Sequence, residues 1–137
     1  MTALADPRVQ RFLDTKEVVV LATVQPDGAP LAMAMWFLHD PTALTMISQN
    51  GLQKVRNLRR DPRVSVVAEA GGAGATICGV AVQGRAQFLA DGPERRALVD
   101  RFHQKYAELK EYWGGHAMPP DRVMFRIIPE RVRDWGL

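Results

Sequence analysis

The chain has 137 residues, a formal net charge of +3, and 47% apolar against 24% charged residues. That size suits one domain with a core of its own, and the balance excludes wholesale disorder. A lone cysteine, Cys78, and three scattered histidines, His39, His103 and His116, match neither a disulfide scaffold nor a recurrent metal spacing, so no metal is expected.

Asp6-Pro7 reads as a helix N-cap with proline at the first helical position, and Val9, Phe12 and Leu13 give one apolar face, which predicts a short helix over about 6–15. Glu17 to Val24 is a β-branched run, apolar on both faces, and predicts a strand with little solvent contact. Gln25-Pro26-Asp27-Gly28 is turn chemistry, so Pro30 to Phe37 returns as the second strand of a hairpin. After a turn at His39 to Thr42 comes a third strand, Ala43 to Ser48. Asn50 and Gln53 have the spacing of a capping box, which predicts a helix from about 51, with Leu52, Val55 and Leu58 as its apolar stripe and Asp61-Pro62 as its stop.

Val64 to Ala68 is the next strand, followed by a glycine-rich, flexible loop at Gly71 to Gly74. Thr76 to Leu89 alternates cleanly, with Cys78, Val80, Val82, Ala86 and Phe88 on one face and Gln83, Arg85 and Gln87 on the other, as a half-buried antiparallel strand does. Asp91 to Glu94 opens a helix whose apolar residues are Leu98, Phe102, Tyr106 and Leu109, and a segment rich in glycine and proline, Gly114 to Pro120, leads to a last strand from Arg122 to about Arg133. Strands outnumber helices and most connections are short. The expectation is a mainly β fold, a closed or split β-barrel of about six antiparallel strands with peripheral helices, in a single domain over residues 1–137.

The longest nearly uncharged apolar stretch, Ala29 to Leu38, is too short to span a bilayer and no charged-then-apolar leader opens the chain, so a cytoplasmic protein without membrane partners is expected. Fourteen of the eighteen basic residues are arginine, and Arg56, Arg59, Arg60 and Arg63 cluster. Arginine suits phosphate and carboxylate. Aromatic residues do not interleave with these bases, which argues against nucleic acid.

The segment Ser48-Gln49-Asn50-Gly51-Leu52-Gln53-Lys54 places a strand end directly before a helix start, where free amides and the positive end of the helix make an anion site that Lys54 can reinforce. Such junctions also occur for purely structural reasons. The glycine spacing fits neither a Walker loop nor a dinucleotide fingerprint, and the two serines, Ser48 and Ser65, sit in no nucleophile elbow. Met33, Met35 and Trp36 read either as core or as a soft, flat wall for an aromatic cofactor. Apolar neighbours make Cys78 an inert thiol rather than a nucleophile. No catalytic side chain is identifiable.

Four stretches carry a family resemblance: Val20-Leu21-Ala22-Thr23-Val24 with the Asp27-Gly28-Ala29-Pro30 turn; Lys54-Val55-Arg56-Asn57-Leu58-Arg59-Arg60-Asp61-Pro62-Arg63; Gln83-Gly84-Arg85-Ala86; and Arg126-Ile127-Ile128-Pro129-Glu130-Arg131-Val132-Arg133-Asp134-Trp135. Together they resemble the pyridoxamine 5'-phosphate oxidase-like split-barrel family of flavin and deazaflavin proteins, and the second resembles the branch that uses the deazaflavin coenzyme F420. The resemblance implies a homodimer with a cofactor at the subunit interface, coenzyme F420 or alternatively FMN, and a small unsaturated or quinone-like substrate. It also implies phosphate contacts from Ser48, Gln53 and Lys54, a cofactor-binding role for Asn57, and a ring system along Met33, Met35 and Trp36 near Ile77, Cys78, Gly79 and Val80. The pyridoxamine phosphate oxidases carry an arginine and a lysine on the strand corresponding to Ala32 to Phe37; this chain has neither, which argues against oxidation of that vitamer.

Overall fold

The computed structural model describes residues 2–72, 74 and 76–137. Helix α1 (Pro7–Asp14) precedes strands β1 (Val18–Val24), β2 (Pro30–Trp36), β3 (Leu38–His39) and β4 (Leu44–Gln49). Helix α2 (Gln53–Arg60), β5 (Arg63–Ala70), β6 (Cys78–Leu89), α3 (Pro93–Lys105), α4 (Leu109–Trp113) and β7 (Arg122–Trp135) complete the chain. Asp6 caps α1, its carboxylate accepting from the Arg8 amide at 2.9 Å, as the Asp-Pro pair predicts. The glycine-rich loop expected at Gly71–Gly74 includes Ala73, which lies outside the described residues.

All strands join one antiparallel sheet in the order β2-β1-β5-β6-β7-β4-β3. Its two end strands, β2 and β3, are separated in the chain by Phe37 alone. One residue spans only about 7 Å, so the sheet must curl until its first and last strands meet, which makes a barrel. Ladder bonds do not cross that seam, and the barrel is split. The Phe37 backbone is satisfied from α3 instead: its amide donates to the Tyr106 hydroxyl at 2.9 Å and its carbonyl accepts from Lys105 Nζ at 2.9 Å.

Tight curling is eased where the β6–β7 ladder slips between Gln83 and Gly84, opposite Pro129 and Glu130. Proline has no amide to offer a ladder, and a Cβ on Gly84 would lie 2.1 Å from the Ile128 carbonyl oxygen. The barrel interior holds Val19, Leu21, Met35, Phe37, Leu44, Met46, Val66, Val82, Phe125 and Ile127. A second cluster, Leu98, Val99, Phe102, Tyr106 and Leu109 with Leu38 and Met124, seats α3 and α4 on the outside.

Three expectations are corrected. The sheet has seven strands rather than about six, because the pair Leu38–His39 forms a short strand against Leu44 and Thr45. The predicted third helix is two, because the chain turns extended at Tyr106, whose hydroxyl is held by the barrel seam. Finally, β1 is not shielded on both faces: Val18 is 44% and Val20 38% exposed.

Candidate functional site

The chain leaves β4 at Gln49 and enters α2 at Gln53. Ser48 shares the inward face of β4 with Leu44 and Met46, and it is buried. Its hydroxyl oxygen has no hydrogen-bond partner among the described residues. Buried hydroxyls nearly always find one, so Ser48 Oγ is an orphan at the mouth of the barrel.

Asn50 and Gln53 do not form the expected capping box. The Asn50 side-chain Oδ1 accepts from Arg59 Nη2 at 2.8 Å, while the Gln53 Oε1 accepts from Arg56 and its Nε2 donates to Asn57 Oδ1 at 2.8 Å. Helix α2 therefore begins at Gln53 after Leu52, with no side chain capping it. Long arginines on the following turn outcompete the local box for both polar side chains. The consequence is useful: among the described residues nothing accepts from the Gln53 and Lys54 amides, which stay available at the positive end of the helix. Leu52 is 40% exposed and leaves the apolar stripe to Val55 and Leu58.

Lys54 is buried, and its ammonium donates to the Met35 sulfur at 3.2 Å. No carboxylate pairs with it among the described residues. Burial pushes its pKa below the usual lysine value. Asn57, fully buried, ties this helix to the barrel wall by donating to Thr23 Oγ1 at 3.0 Å. A buried ammonium, a buried orphan hydroxyl and open helix amides fit a bound phosphate or carboxylate group.

The predicted ring wall is divided. Alternation along β2 puts Met33 and Met35 on the inward face opposite Leu21 and Val19, and Trp36 on the outward face opposite Val18. Met33 is 40% exposed there, Met35 is core, and the Trp36 ring stacks on Tyr106 at 4.3 Å. Of the second stretch, Ile77 is exposed and Cys78 half-buried, whereas Val80 points into the core and offers a ligand no side-chain surface. Gly79 lies under Trp135, whose ring occupies the place of a side chain: a Cβ would sit 2.2 Å from it.

Thr23 was not legible as a site residue, because only its buried bond to Asn57 distinguishes it from any strand threonine. On the exposed side of α2, Arg56, Arg59 and Arg60 bind neutral oxygens of Gly51, Asn50 and Val24 and carry no carboxylate partner among the described residues. Arg63 differs, for Asp61 pairs with it at 2.7 Å and is itself held at a pKa of about 2 by that contact.

The sequence profile of the family described as Pyridoxamine 5'-phosphate oxidase matches residues 5–136. The chain belongs to that family. Its curled antiparallel half-barrel is the family's split-barrel fold, which is also that of conserved hypothetical protein Rv2991 from Mycobacterium tuberculosis, 28% identical with a TM-score of 0.83 over 98% of this chain and 84% of that one. A putative pyridoxamine 5'-phosphate oxidase from Listeria innocua is 27% identical, with a TM-score of 0.73 over 95% of this chain and 97% of that one. A FAD-binding protein from Mesorhizobium loti, 24% identical, has a TM-score of 0.74 over 93% and 89% of the two chains. No curated protein matches the chain by sequence. Among the described residues no helix is long and apolar enough to cross a membrane.

Proposed function

We propose that this family member is an oxidoreductase whose niche at Ser48, Gln53 and Lys54 takes the phosphate of a flavin-type cofactor, the deazaflavin coenzyme F420, with the protein acting as a homodimer. The observation that carries the reading is a buried Lys54 beside a buried Ser48 hydroxyl, the first with no counter-charge and the second with no partner among the described residues. Both lose by standing alone and gain from an oxyanion. When bound, the cofactor supplies hydride transfer to a small unsaturated or quinone-like acceptor.

The protein's part is to bind and orient. Lys54 supplies charge, the Gln53 and Lys54 amides supply donors, and Asn57 fixes α2 to β1 so that these donors keep their direction. Arg56, Arg59 and Arg60 favour the deazaflavin over FMN, because they offer charge to an acidic tail that FMN lacks. A strand β2 without arginine or lysine is the second support, since it leaves the helix end as the chief source of positive charge.

The outer faces of β1, β2 and β5 support the homodimer. Ala34, Val20 and Val67 lie side by side across the sheet with Val18 next along β1, and all are exposed. A contiguous apolar face of this kind is an association surface. With one unpaired cysteine, a cytoplasmic setting agrees with this reading.

Dissociation constants for coenzyme F420 and FMN, measured side by side by fluorescence on the purified protein, test the assignment. Tight binding of the deazaflavin with weak binding of FMN is the expected result. A yellow protein that retains FMN through purification favours the alternative, an FMN oxidase or reductase. Binding without oxidation of the reduced coenzyme by any of a panel of acceptors would identify a carrier instead.

A further inference from the structure

We propose that a cleft between α1, β3 and α3 is a second binding site, taking a small hydroxy acid or inorganic phosphate whose oxyanion is held by Lys105 and Arg101. The cleft has a volume of about 310 Å³ and is lined by Asp14, Leu38, His39, Arg101, Gln104 and Lys105. None of these belongs to the niche at Ser48 and Lys54. The size is at the lower end for a small-molecule pocket.

Arg101 and Lys105 stand four residues apart on α3, a spacing that puts two like charges side by side at a cost unless an anion lies between them. Their protein contacts are neutral: Arg101 Nη2 donates to the His39 carbonyl at 3.1 Å and Lys105 Nζ to that of Phe37 at 2.9 Å. One carbonyl uses one of the three ammonium hydrogens. The Phe37 ring, 3.8 Å away, covers a flank of Nζ, and further donor capacity remains for a ligand in the cleft.

The lining has one carboxylate, and it is engaged. Asp14 Oδ1 lies 2.7 Å from His39 Nε2, whose ring is fixed on its other side by Gln10 Oε1 at 2.9 Å. The second Asp14 oxygen repels a second anionic group and accepts from a hydroxyl, which favours a hydroxy acid over a dicarboxylate. Leu38 supplies an apolar wall. Burial pushes the Lys105 amine down to about 8, Arg101 adds to that effect, and the charges of Asp14 and Glu17 oppose it. Burial also lowers the pKa of His39, and the adjoining Asp14 carboxylate opposes that effect.

Amide proton–nitrogen spectra of the full-length protein, titrated with sodium lactate, sodium phosphate or sodium chloride at equal ionic strength, test the site. Expected are saturable shifts at His39, Arg101 and Lys105 with lactate or phosphate and none with chloride. A response to lactate alone identifies an organic acid as the ligand, and one to phosphate alone identifies phosphate. Affinity should fall about tenfold from pH 7 to pH 9 as Lys105 loses its charge. Both Lys105→Met and Arg101→Gln should weaken binding at least about tenfold, the loss of one charge-assisted contact. Arg101 is exposed, so its variant decides the matter even if Lys105→Met disturbs the barrel seam. The absence of saturable shifts up to about 10 mM of either anion, or equal affinity in Arg101→Gln, overturns the proposal. Loss of coenzyme binding elsewhere leaves this result untouched, because the two sites share no residue.

Discussion

The Lys54 ammonium rests 3.2 Å from the Met35 sulfur at 9% exposure, a cation whose one hydrogen-bond partner among the described residues is a weak acceptor. Replacing such a group by an apolar one of similar length commonly leaves stability unchanged or raises it. Lys54→Met should therefore raise the stability of the ligand-free protein by roughly 1 kcal/mol while weakening cofactor binding by about 1.5–3 kcal/mol. Urea unfolding and fluorescence titration of one preparation measure both. A variant that is destabilised and still binds normally removes Lys54 from the site.

Asn57 is completely buried, donates to Thr23 Oγ1 and accepts from Gln53. Asn57→Ala leaves the Thr23 hydroxyl, itself 1% exposed, without a partner. The expected cost is about 2–3 kcal/mol in urea unfolding, and adding Thr23→Val should restore part of it, because the second change removes the orphaned hydroxyl. A loss below roughly 0.5 kcal/mol, the scale of a surface change, would show that α2 is held by packing alone.

Lys105 also sets a pH dependence. Its folded-state pKa, about 8, lies below its unfolded value, so between about pH 8 and 10 the unfolded chain binds the extra proton and stability rises with pH. Below that window both states are charged and the burial penalty is present in full. Tyr106 acts in the opposite sense higher up: burial raises it to about 12, and above pH 10 the unfolded chain sheds the proton first. The melting temperature of the wild type relative to that of Lys105→Met should rise from pH 7.5 to pH 9.5. The same difference at both would show that Lys105 does not titrate in this range.

On the outer face of β5, Val67 is 38% exposed and lies opposite Val20 of β1. In a homodimer covering this face, Val67→Asp buries an unpaired carboxylate and should convert dimer to monomer, as light scattering coupled to size-exclusion chromatography would register. In a monomer the same change touches only solvent and is nearly neutral. An unchanged dimer would place the interface elsewhere.

Hydrophobic alternation and turn chemistry made most of the strands and helices legible, because a period of two, a proline after a capping aspartate and a glycine at the Gly28 turn, with φ of 88°, are local signals. The niche was legible in part. Ser48, Gln53 and Lys54 follow from a strand end meeting a helix start, Asn57 comes only with the family motif, and the structure brings Lys54 and Asn57 together on the buried side of α2. Failure of the capping box was not readable, since Arg56 and Arg59 claim its side chains only after the helix has formed.

What the sequence determined by itself is local: which segments extend, where helices start, and that a strand end and a positively charged helix start are neighbours. Tertiary structure decided the rest. Only the curling of the sheet brings β2 and β3 to one seam, where Phe37 needs Tyr106 and Lys105, residues some seventy positions away, to satisfy its backbone. Likewise, the isolation of Lys54 and Ser48 is a matter of which groups the fold leaves out of reach, and desolvation depends on that arrangement rather than on neighbours in the chain.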